Sequence, residues 1–523
     1  MNTNAQPAAT EDIYDLLVVG GGINGVGIAR DAVGRGLKVA LCEKSDLASG
    51  TSSASTKLIH GGLRYLEYGE FRLVQQALRE REVLLNMAPH IIWPLRFVLP
   101  HLPGMRPAWL LRLGLFIYDH LGGREKLPGC SRIDLGHHAA GKPLSDRMRV
   151  AFEYSDCWAD DSRLVVLNAL DAAERGANIL TRTTFVSADR GDEAWTANLR
   201  RSGGENLTIR ARSLVNAAGP WVAKVADCVE GVEPAQEVRL VKGSHLVTRR
   251  LFDGNRAYIF QNDDKRIAFA IPFERDFTLI GTTDISHEDS LEGVSITADE
   301  TGYLIRLVNQ YLRSPISESD ILWSYSGVRP LLEEEGKNAS ETSRDYLLEL
   351  DKQSGCAPLL TVYGGKLTAY RTLAEQALEK LLPALDRNAP AWTAQSTLPG
   401  GDIPNADFAS FEKAMQRRWP WLDAAILHRL LRAYGTSVEQ IVGSAEKSED
   451  LGEQFGAGLS AAEVNYLVGY EFAMTADDVL WRRSKLGLRL DDSQRDALRH
   501  RFSVVPKSSR LPMPATSRSA VRL

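Results

Sequence analysis

Three glycines near the start of the chain, Gly20, Gly22 and Gly25, have the G-x-G-x-x-G spacing of a dinucleotide site. The first permits a tight turn, the second lets the backbone approach a pyrophosphate, and the third allows close helix–strand packing. Glu43 stands twenty-one residues after Gly22, where an acid accepts hydrogen bonds from an adenosine ribose and disfavours a 2′-phosphate. The spacing predicts a bound dinucleotide but does not by itself separate FAD from NAD.

Three further segments favour FAD. Residues 49–62 (SGTSSASTKLIHGG) bring small hydroxyls and glycines together where an extended backbone could run beside a flavin. Residues 216–219 repeat the strand-to-glycine pattern, and residues 364–366 open a predicted helix whose positive end suits the N1/C2 side of a reduced isoalloxazine. The alternative for each segment is an ordinary βα turn. Because no histidine or cysteine lies in a flavin-attachment motif, we expect non-covalent binding.

These segments supply the predicted cofactor-binding residues. They are Gly20, Gly22, Ile23, Asn24, Gly25, Glu43, Lys44, Thr51, Ser52, Ser55, Thr56, Leu58, Gly62, Ala217, Gly219, Gly365, Lys366, Leu367 and Thr368.

The hydrophobic pattern predicts the elements that position these residues. Apolar runs at 13–19 and 37–42, on either side of the glycines and an Ala/Gly-rich stretch, predict a strand-turn-helix-strand unit in a buried parallel sheet. Short alternating runs over 238–285 predict an antiparallel sheet. Further predicted strands lie at 214–218 and 359–363, and the predicted helices lie at 71–88, 366–382, 421–434, 460–473, 476–486 and 492–502.

The fold class that follows is α/β: a Rossmann-type FAD-binding domain with an inserted antiparallel-sheet substrate domain and a C-terminal all-helical domain. The FAD-binding domain is predicted in three parts, 13–85, 151–232 and 353–390. The other predicted units are a substrate or membrane-side cap at 86–150, the substrate domain at 233–352, the helical domain at 396–505, and flexible tails at 1–12 and 506–523.

Composition excludes several classes of protein. The formal net charge of -5 argues against a nucleic-acid partner, which would require an excess of cations. The five cysteines lie far apart with no CxxC pair, so neither a metal site nor a disulfide framework is predicted. The chain contains no apolar run of eighteen residues and its first residues have no apolar signal core, so we expect a cytoplasmic location without a transmembrane helix.

Several motifs together resemble the FAD-dependent glycerol-3-phosphate dehydrogenases. The resemblance covers about 14–504 and is nearest to the respiratory, homodimeric enzyme of bacterial membranes, because the cysteine-rich extension of the anaerobic relatives is absent. The motifs are GGGING at 20–25, SSASTKLIHGGLRYL at 52–66, KGSH at 242–245, GTTD at 281–284, YSGVRP at 325–330, TSRDY at 342–346 and GGKLT at 364–368.

The resemblance implies the reaction and its partners. It implies oxidation of sn-glycerol 3-phosphate to dihydroxyacetone phosphate by hydride transfer to FAD, with electrons passed to a membrane quinone of the ubiquinone type. It also implies a homodimer that lies peripherally on the inner, cytoplasmic membrane. Arg64, Tyr65, Arg344 and Lys366 are assigned by resemblance to substrate binding, mainly of the phosphate, and arginine suits bidentate phosphate recognition.

His245 and Arg329 are the predicted catalytic residues. An unperturbed histidine has a pKa of about 6.5, which suits proton abstraction near neutrality. Arg329 would orient the C2 oxygen and stabilise a developing alkoxide, although the two residues could exchange these roles. His60 is interpreted as a flavin-side structural residue, and the pair His137 and His138 as a surface feature.

Residues 107–121 (PAWLLRLGLFIYDHL) predict a helix that is apolar almost all round and too short to span a bilayer. Arg96, Arg106, Arg112, Arg124 and Lys126 lie in or near it. Both a helix in the headgroup layer and a buried core helix remain open at this point.

Three other functions remain as alternatives. They are a glycerol-3-phosphate oxidase that uses oxygen, a flavin oxidoreductase acting on an amino acid or hydroxy acid, and a non-catalytic cofactor-binding protein. An acid substrate needs a carboxylate clamp of about one arginine, whereas this chain offers several cations.

Overall fold

The computed structural model describes residues 13–102, 107–123, 125–232, 236–262, 264, 266–332, 345–353 and 355–504. The predicted tails at 1–12 and 506–523, the substrate residue Arg344, and Arg106 and Arg124 beside the apolar helix lie outside the described residues.

The described strands, in chain order, are β1 (Leu16–Val19), β2 (Val39–Cys42), β3 (Leu58–Ile59), β4 (Ile92–His101), β5 (Ser131–Asp134), β6 (Val150–Ala159), β7 (Asn178–Leu180), β8 (Thr183–Arg190), β9 (Trp195–Arg201), β10 (Asn206–Ala211), β11 (Leu214–Asn216), β12 (Val238–Arg249), β13 (Arg256–Gln261), β14 (Ile267–Phe273), β15 (Phe277–Gly281), β16 (Ile285–Ser286), β17 (Ile321–Leu332), β18 (Tyr346–Asp351) and β19 (Leu359–Gly364).

The described α-helices are α1 (Ile23–Gly34), α2 (Phe71–Met87), α3 (Ala108–Leu121), α4 (Asp161–Glu174), α5 (Val222–Ala226), α6 (Ala298–Asn309), α7 (Tyr370–Leu381), α8 (Phe408–Arg418), α9 (Ala424–Tyr434), α10 (Glu439–Val442), α11 (Ala461–Gly469) and α12 (Asp492–Val504). None of these helices combines the length and the apolar character needed to cross a membrane.

The first sheet carries the nucleotide fingerprint, and its strand order is β18-β19-β11-β1-β2-β7. Its pairs are parallel except β18–β19, which is antiparallel. The strands β1 and β2 are buried along their whole length because α1, α4 and α7 cover one face and the antiparallel strands β8, β9 and β10 cover the other, which explains their continuous apolar sequences. The predicted Rossmann-type α/β fold is confirmed. The residues between β7 and β11 in the sequence form a separate antiparallel sheet with the order β10-β9-β8.

The second sheet, which includes the predicted catalytic residues His245 and Arg329, has the strand order β16-β12-β15-β14-β13-β4-β6-β3, with β17 paired to β12 and β5 paired to β6. Its pairs are antiparallel except β13–β4. This sheet contains β3 and β6, although the sequence predicts their residues in the FAD-binding domain. Conversely, β18 lies in the range predicted for the substrate domain but belongs to the first sheet. Strand exchange of this kind depends on long-range pairing, which hydrophobic periodicity does not report.

The C-terminal part is helical, with a core of its own around Phe411, Leu431 and Leu480. This agrees with the predicted all-helical domain. However, the helix predicted at 476–486 is instead a π-helical turn at Asp478–Arg483, followed by a 3-10 turn at Leu486–Leu488. The helix predicted at 366–382 begins later, since a 3-10 turn at Leu367–Ala369 precedes α7.

Candidate active site

The fingerprint turn admits only glycine at two of its positions. Gly20 has a φ of 117°, and a Cβ there would lie 2.5 Å from the carbonyl oxygen of Ala217. A Cβ on Gly25 would overlap the Gly20 carbonyl oxygen. The contact between Gly20 and Ala217 joins β1 to the end of β11, so two of the predicted cofactor segments meet at this turn.

The start of α1 lies beside Glu43 and Ser52. Ser52 Oγ accepts a hydrogen bond from the Ile23 amide at 3.0 Å. The Glu43 carboxylate accepts from the amides of Gly21 at 2.7 Å and Ser45 at 2.8 Å, and burial raises its pKa. The acid therefore lies beside the glycine turn, where a ribose contact needs it; that contact itself stays a prediction.

The late glycine segment, residues 364–366, packs against the start of α1, and the contacting residues Asn24 and Gly364 are 340 positions apart in the sequence. Asn24 Nδ2 donates to the Gly364 carbonyl at 3.1 Å. Gly365 has a φ of 102°, and a Cβ there would lie 2.9 Å from Asn24 Nδ2. The buried Asn24 Oδ1 has no hydrogen-bond partner among the described residues. Because α7 begins at Tyr370, Lys366 precedes the helix in an extended conformation, and the expectation that it opens an α-helix is wrong.

A buried ion pair fixes residues 51–58, which we call the serine-rich segment. Lys57 Nζ lies 2.8 Å from Asp161 Oδ1, and both side chains are almost fully buried. Ser55 Oγ donates to Asp161 Oδ2 at 2.8 Å. Lys57 has a φ of 59°, a left-handed conformation that is uncommon outside glycine. Sequence reasoning missed Asp161, because an acid at the start of α4 looks like an ordinary first-turn charge.

The two predicted catalytic residues lie on one face of the second sheet. In the register of β12 and β17, His245 is opposite Tyr325 and Val241 is opposite Arg329. Residues two apart on a strand share a face, so His245 and Arg329 lie on the same face with Gly243 and Gly327 between them. A Cβ on Gly327 would lie 2.7 Å from Ala54 Cβ, so the serine-rich segment passes directly over the sheet at this glycine.

His245 is fully buried and held on two sides. Its Nε2 lies 3.0 Å from Thr56 Oγ1, and its ring stacks on Tyr325 with centroids 4.8 Å apart. Burial, together with the positive charges of Arg329 and Lys57, lowers the pKa of His245 well below its ordinary value. The expectation of an unperturbed pKa near 6.5 is therefore wrong, since it assumed a solvated ring. The imidazole is neutral at physiological pH.

Arg329 forms an ion pair with Asp284, and its Nη2 donates to Thr282 Oγ1 at 3.3 Å. Arg329 lies on the same sheet face as His245, and its positive charge contributes to the lowered pKa of that histidine. In the sequence, Asp284 is marked only as the last residue of the GTTD motif. The acid orients the guanidinium, a role that depends on the pairing of distant strands and has no local sequence signal.

Two of the predicted substrate residues are in contact. Lys366 Nζ lies 4.1 Å above the Tyr65 ring. Gly62, with a φ of 75°, allows the Tyr65 ring to fold back over it, where a Cβ would overlap the ring. Arg64 follows the same turn and donates to Tyr68 Oη at 3.2 Å. Tyr65 and Lys366 therefore lie together, whereas the Arg64 side chain contacts Tyr68.

The remaining predicted cofactor residues lie along the same segments. Lys44 Nζ is 4.2 Å above the Trp221 ring, and Thr51 donates to the Val328 carbonyl. Thr368 Oγ1 accepts from the His60 amide at 3.3 Å, which places His60 at the junction between β3 and the late glycine segment. Leu58 lies in β3, Leu367 in the 3-10 turn, and Gly219 has a φ of 58°.

The helix α3 is half-buried, so the interpretation as a fully buried core helix is wrong. Leu115 and Tyr118 are buried, and Tyr118 Oη accepts from the Gly61 amide at 2.8 Å. On the opposite side Trp109 is 67% exposed and Phe116 57% exposed. The other exposed large apolar side chains on α3 and the adjoining turn are Tyr68, Phe71, Leu110 and Leu113. We call Trp109, Leu110, Leu113 and Phe116 the α3 surface.

FAD fits the residues that surround the fingerprint. The glycine turn leaves no room for a side chain, a carboxylate stands at the end of β2, and the buried Asn24 Oδ1 lacks a partner among the described residues. Gly20, Gly25, Glu43 and Asn24 would hold the nucleotide part, and the segments at 51–58 and 364–368 would line the flavin part.

Fold and site together are those of a flavin-dependent oxidoreductase, and comparison with known proteins narrows the class. A family model described as FAD dependent oxidoreductase matches residues 15–371, and a model of the C-terminal domain of alpha-glycerophosphate oxidase matches residues 391–508. The chain belongs to the family of FAD-dependent glycerol-3-phosphate dehydrogenases, as its sequence motifs predicted, and FAD is its cofactor.

Full-length relatives and a solved structure support this placement. The chain is 52% identical to glycerol-3-phosphate dehydrogenase of Pseudomonas aeruginosa, over 94% of this chain and 95% of the relative. It is also 52% identical to D-erythritol 1-phosphate dehydrogenase of Brucella abortus, over 94% and 97%. The glycerol-3-phosphate dehydrogenase of Bacillus halodurans, solved with FAD, superimposes with a TM-score of 0.73 at 26% identity, covering 94% of each chain.

Proposed function

We propose that the protein oxidises sn-glycerol 3-phosphate to dihydroxyacetone phosphate and passes the electrons to a membrane quinone. The observation that carries this proposal is the neutral, buried His245 beside the ion-paired Arg329, on a face that the serine-rich segment covers. The chemistry needs a proton acceptor, an oriented substrate oxygen and cations for a phosphate. FAD, when bound, supplies the hydride acceptor.

We assign proton transfer to His245 rather than to Arg329. An arginine keeps its proton at neutral pH, and Arg329 is already paired with Asp284. A neutral imidazole is the form that accepts a proton. A phosphate dianion adds negative charge to a site whose cations depress the pKa of His245, so substrate binding itself raises that pKa towards neutrality. Arg329 then orients the C2 oxygen and stabilises negative charge on it.

Lys366, Tyr65 and Arg64 are the proposed phosphate-side residues, with Arg344 beyond the described part of the chain. Lys366 carries a compact charge that the Tyr65 ring holds in place. D-erythritol 1-phosphate is the second candidate substrate, because an equally similar relative bears that name. D-Erythritol 1-phosphate is also a polyol phosphate, so the same cations could bind its phosphate. The space available beyond the reacting carbon would decide which of the two substrates is preferred.

For the acceptor we favour a quinone of the ubiquinone type over oxygen. The helix that carries the α3 surface contacts the chain beside the serine-rich segment with its buried side, where Tyr118 Oη accepts from the Gly61 amide. In a steady-state assay we expect glycerol 3-phosphate to reduce a soluble ubiquinone analogue without peroxide. Stoichiometric peroxide and no need for quinone would select the oxidase alternative. Dye-coupled turnover with an amino acid or hydroxy acid, and none with either polyol phosphate, would select the remaining enzyme alternative.

We further propose that the protein is a homodimer that lies on the cytoplasmic face of the inner membrane through the α3 surface. Each large apolar side chain moved fully from water into an apolar phase gains roughly 1.5–3 kcal/mol. Four side chains inserted part-way therefore suffice for reversible attachment. The exposed Arg112 on the same helix adds about 1 kcal/mol near anionic lipid.

The variant Trp109→Ser/Leu113→Ser/Phe116→Ser should no longer bind vesicles of anionic phospholipid, but it should retain its flavin and its dye-coupled turnover. These three side chains are exposed, so their loss removes lipid contacts and no core packing. The matched control is Leu115→Ser on the buried side of the same helix, which should lower the melting temperature and leave vesicle binding of the folded fraction intact. Co-sedimentation with vesicles, run beside a thermal melt, measures both. Normal pelleting of the triple variant would place the membrane contact elsewhere.

A further inference from the structure

We infer that a short segment of the C-terminal helical domain, residues 478–485, positions the active site. We call it the clamp. Its side chains contact three separate places: the loop after Glu43, the start of α4 that anchors the serine-rich segment, and Trp323 on β17, the strand whose Tyr325 stacks on His245. The inference rests on the proposed role of His245 as proton acceptor, and it assigns the helical domain a part in the reaction beyond stability.

The first contact of the clamp is a column of aromatic rings that ends on His245. The Trp481 ring stacks on Trp323 with centroids 4.8 Å apart and planes 20° apart. Trp323 in turn lies 5.1 Å from Tyr325, and Tyr325 stacks on His245 at 4.8 Å. Tyr325 also donates to the Ser55 carbonyl at 2.8 Å. Among the described residues, Trp481 is the only ring of the helical domain that stacks on Trp323. Its displacement therefore leaves Trp323 unsupported on that side.

The second contact is a buried bidentate ion pair with the nucleotide-binding domain. Arg483 donates to both carboxylate oxygens of Asp46, at 2.8 and 2.9 Å, and both side chains are buried. Arg482 reaches the same carboxylate at 2.5 Å. Asp46 lies three residues after Glu43, and the nearby Ala48 amide donates to the Gly21 carbonyl at 3.1 Å. The clamp thus holds the loop that packs on the glycine turn.

The third contact leads to the buried pair beneath the serine-rich segment. Lys485 Nζ donates to Ser162 Oγ and lies 3.8 Å from Asp160 Oδ1. Ser162 follows Asp161 directly, and its amide donates to Asp161 Oδ1 at 2.8 Å. Asp161 holds Lys57 and Ser55, the neighbours of Thr56, which contacts His245. Two of the three contacts therefore converge on the same histidine, one through the Tyr325 ring on its face and the other through Thr56 at its Nε2.

The backbone of the clamp is unusual in a way that serves these contacts. The turn at Asp478–Arg483 is π-helical, and the Ser484 amide donates to the Val479 carbonyl five residues back. Such turns are rare and often mark functional sites. Lys485 follows in a left-handed conformation with a φ of 57°. A regular α-helix turns by a larger angle per residue than a π-helical turn, so it would point Trp481, Arg482 and Arg483 in other directions.

The test compares Trp481→Leu with Trp421→Leu, since both tryptophans are half-buried in the same helical core but only Trp481 stacks on Trp323. For Trp481→Leu we expect flavin reduction at saturating sn-glycerol 3-phosphate to slow about tenfold to a hundredfold, because small displacements of reacting groups are costly. The apparent substrate constant should change little. The acidic limb of kcat/KM should move to higher pH, because water that reaches His245 relieves the burial that lowers its pKa. Trp481→Phe, which keeps a ring, should restore both readouts.

Wild-type flavin reduction by Trp481→Leu with an unmoved pH limb would overturn the inference, as would an equal slowing in Trp421→Leu. If Trp481→Leu does not fold, Trp323→Leu breaks the same column from the substrate side, and the same two outcomes decide. Failure of the proposed function is separable. Arg483→Lys, which loses the bidentate fork, should raise the FAD dissociation constant about tenfold without any substrate present. An unchanged constant contradicts the clamp even if the wild-type protein oxidises some other substrate.

Discussion

Replacing His245 with asparagine should lower the rate of flavin reduction by sn-glycerol 3-phosphate by about two to four orders of magnitude, the usual contribution of a positioned proton acceptor. Asparagine keeps a polar group within reach of Thr56 but cannot take a proton at neutral pH. In the wild type, the pKa of His245 in the free protein lies well below its ordinary value, so kcat/KM should fall only when the pH drops below that depressed pKa. Stopped-flow absorbance of the flavin, measured across pH, gives both quantities.

The control for this variant is its flavin content, which should match the wild type because His245 lies on β12 of the second sheet and not at the glycine turn. A variant that reduces its flavin at close to the wild-type rate would remove His245 from the role of proton acceptor. A slow variant whose remaining activity kept the wild-type acidic limb would assign that limb to another group.

The second large effect is expected at the buried pair of Lys57 and Asp161. Lys57→Met should destabilise the folded protein by about 3–5 kcal/mol, because it leaves the Asp161 carboxylate buried without its cation. It also removes one of the two cations that depress the pKa of His245. A thermal melt followed by flavin fluorescence should show early release of FAD, since the serine-rich segment lines the proposed flavin site.

Two further variants test the cause of that loss. Lys57→Met/Asp161→Asn removes the uncompensated charge and should recover part of the melting temperature. Arg201→Met breaks the exposed pair with Glu205 and should cost no more than about 1 kcal/mol. The buried charge does not stabilise the serine-rich segment if Lys57→Met has the melting temperature of the wild type. The same conclusion follows if the double variant is no more stable than Lys57→Met.

The sequence carries the parts of the fold that have local signals. The fingerprint glycines are recognisable because each is required by its immediate neighbours, as the overlap between a Gly25 Cβ and the Gly20 carbonyl shows. The apolar runs of β1 and β2 report burial on both faces directly. The helical C-terminal part follows from periodicity over long stretches, which is a strong signal even when the ends of helices are uncertain.

The rest depends on pairings between distant residues. Asp161 and Asp284 orient site residues from more than forty positions away in sequence, and no local pattern marks either acid as different from a surface charge. The lowered pKa of His245 arises from burial by other elements and from Arg329, so the residue type alone gave the wrong value. The π-helical turn at 478–483 satisfies contacts with Asp46 and Trp323, which lie in other domains.

The central claim, that this site oxidises sn-glycerol 3-phosphate through FAD, is tested most directly by anaerobic titration of the purified protein while the flavin absorbance is recorded. We predict that one equivalent of sn-glycerol 3-phosphate per flavin bleaches the oxidised spectrum and forms dihydroxyacetone phosphate. D-erythritol 1-phosphate, titrated in parallel, should bleach it only at much higher concentration. Bleaching by D-erythritol 1-phosphate but not by sn-glycerol 3-phosphate would contradict the proposed substrate, and an unchanged spectrum with both would contradict the proposed reaction.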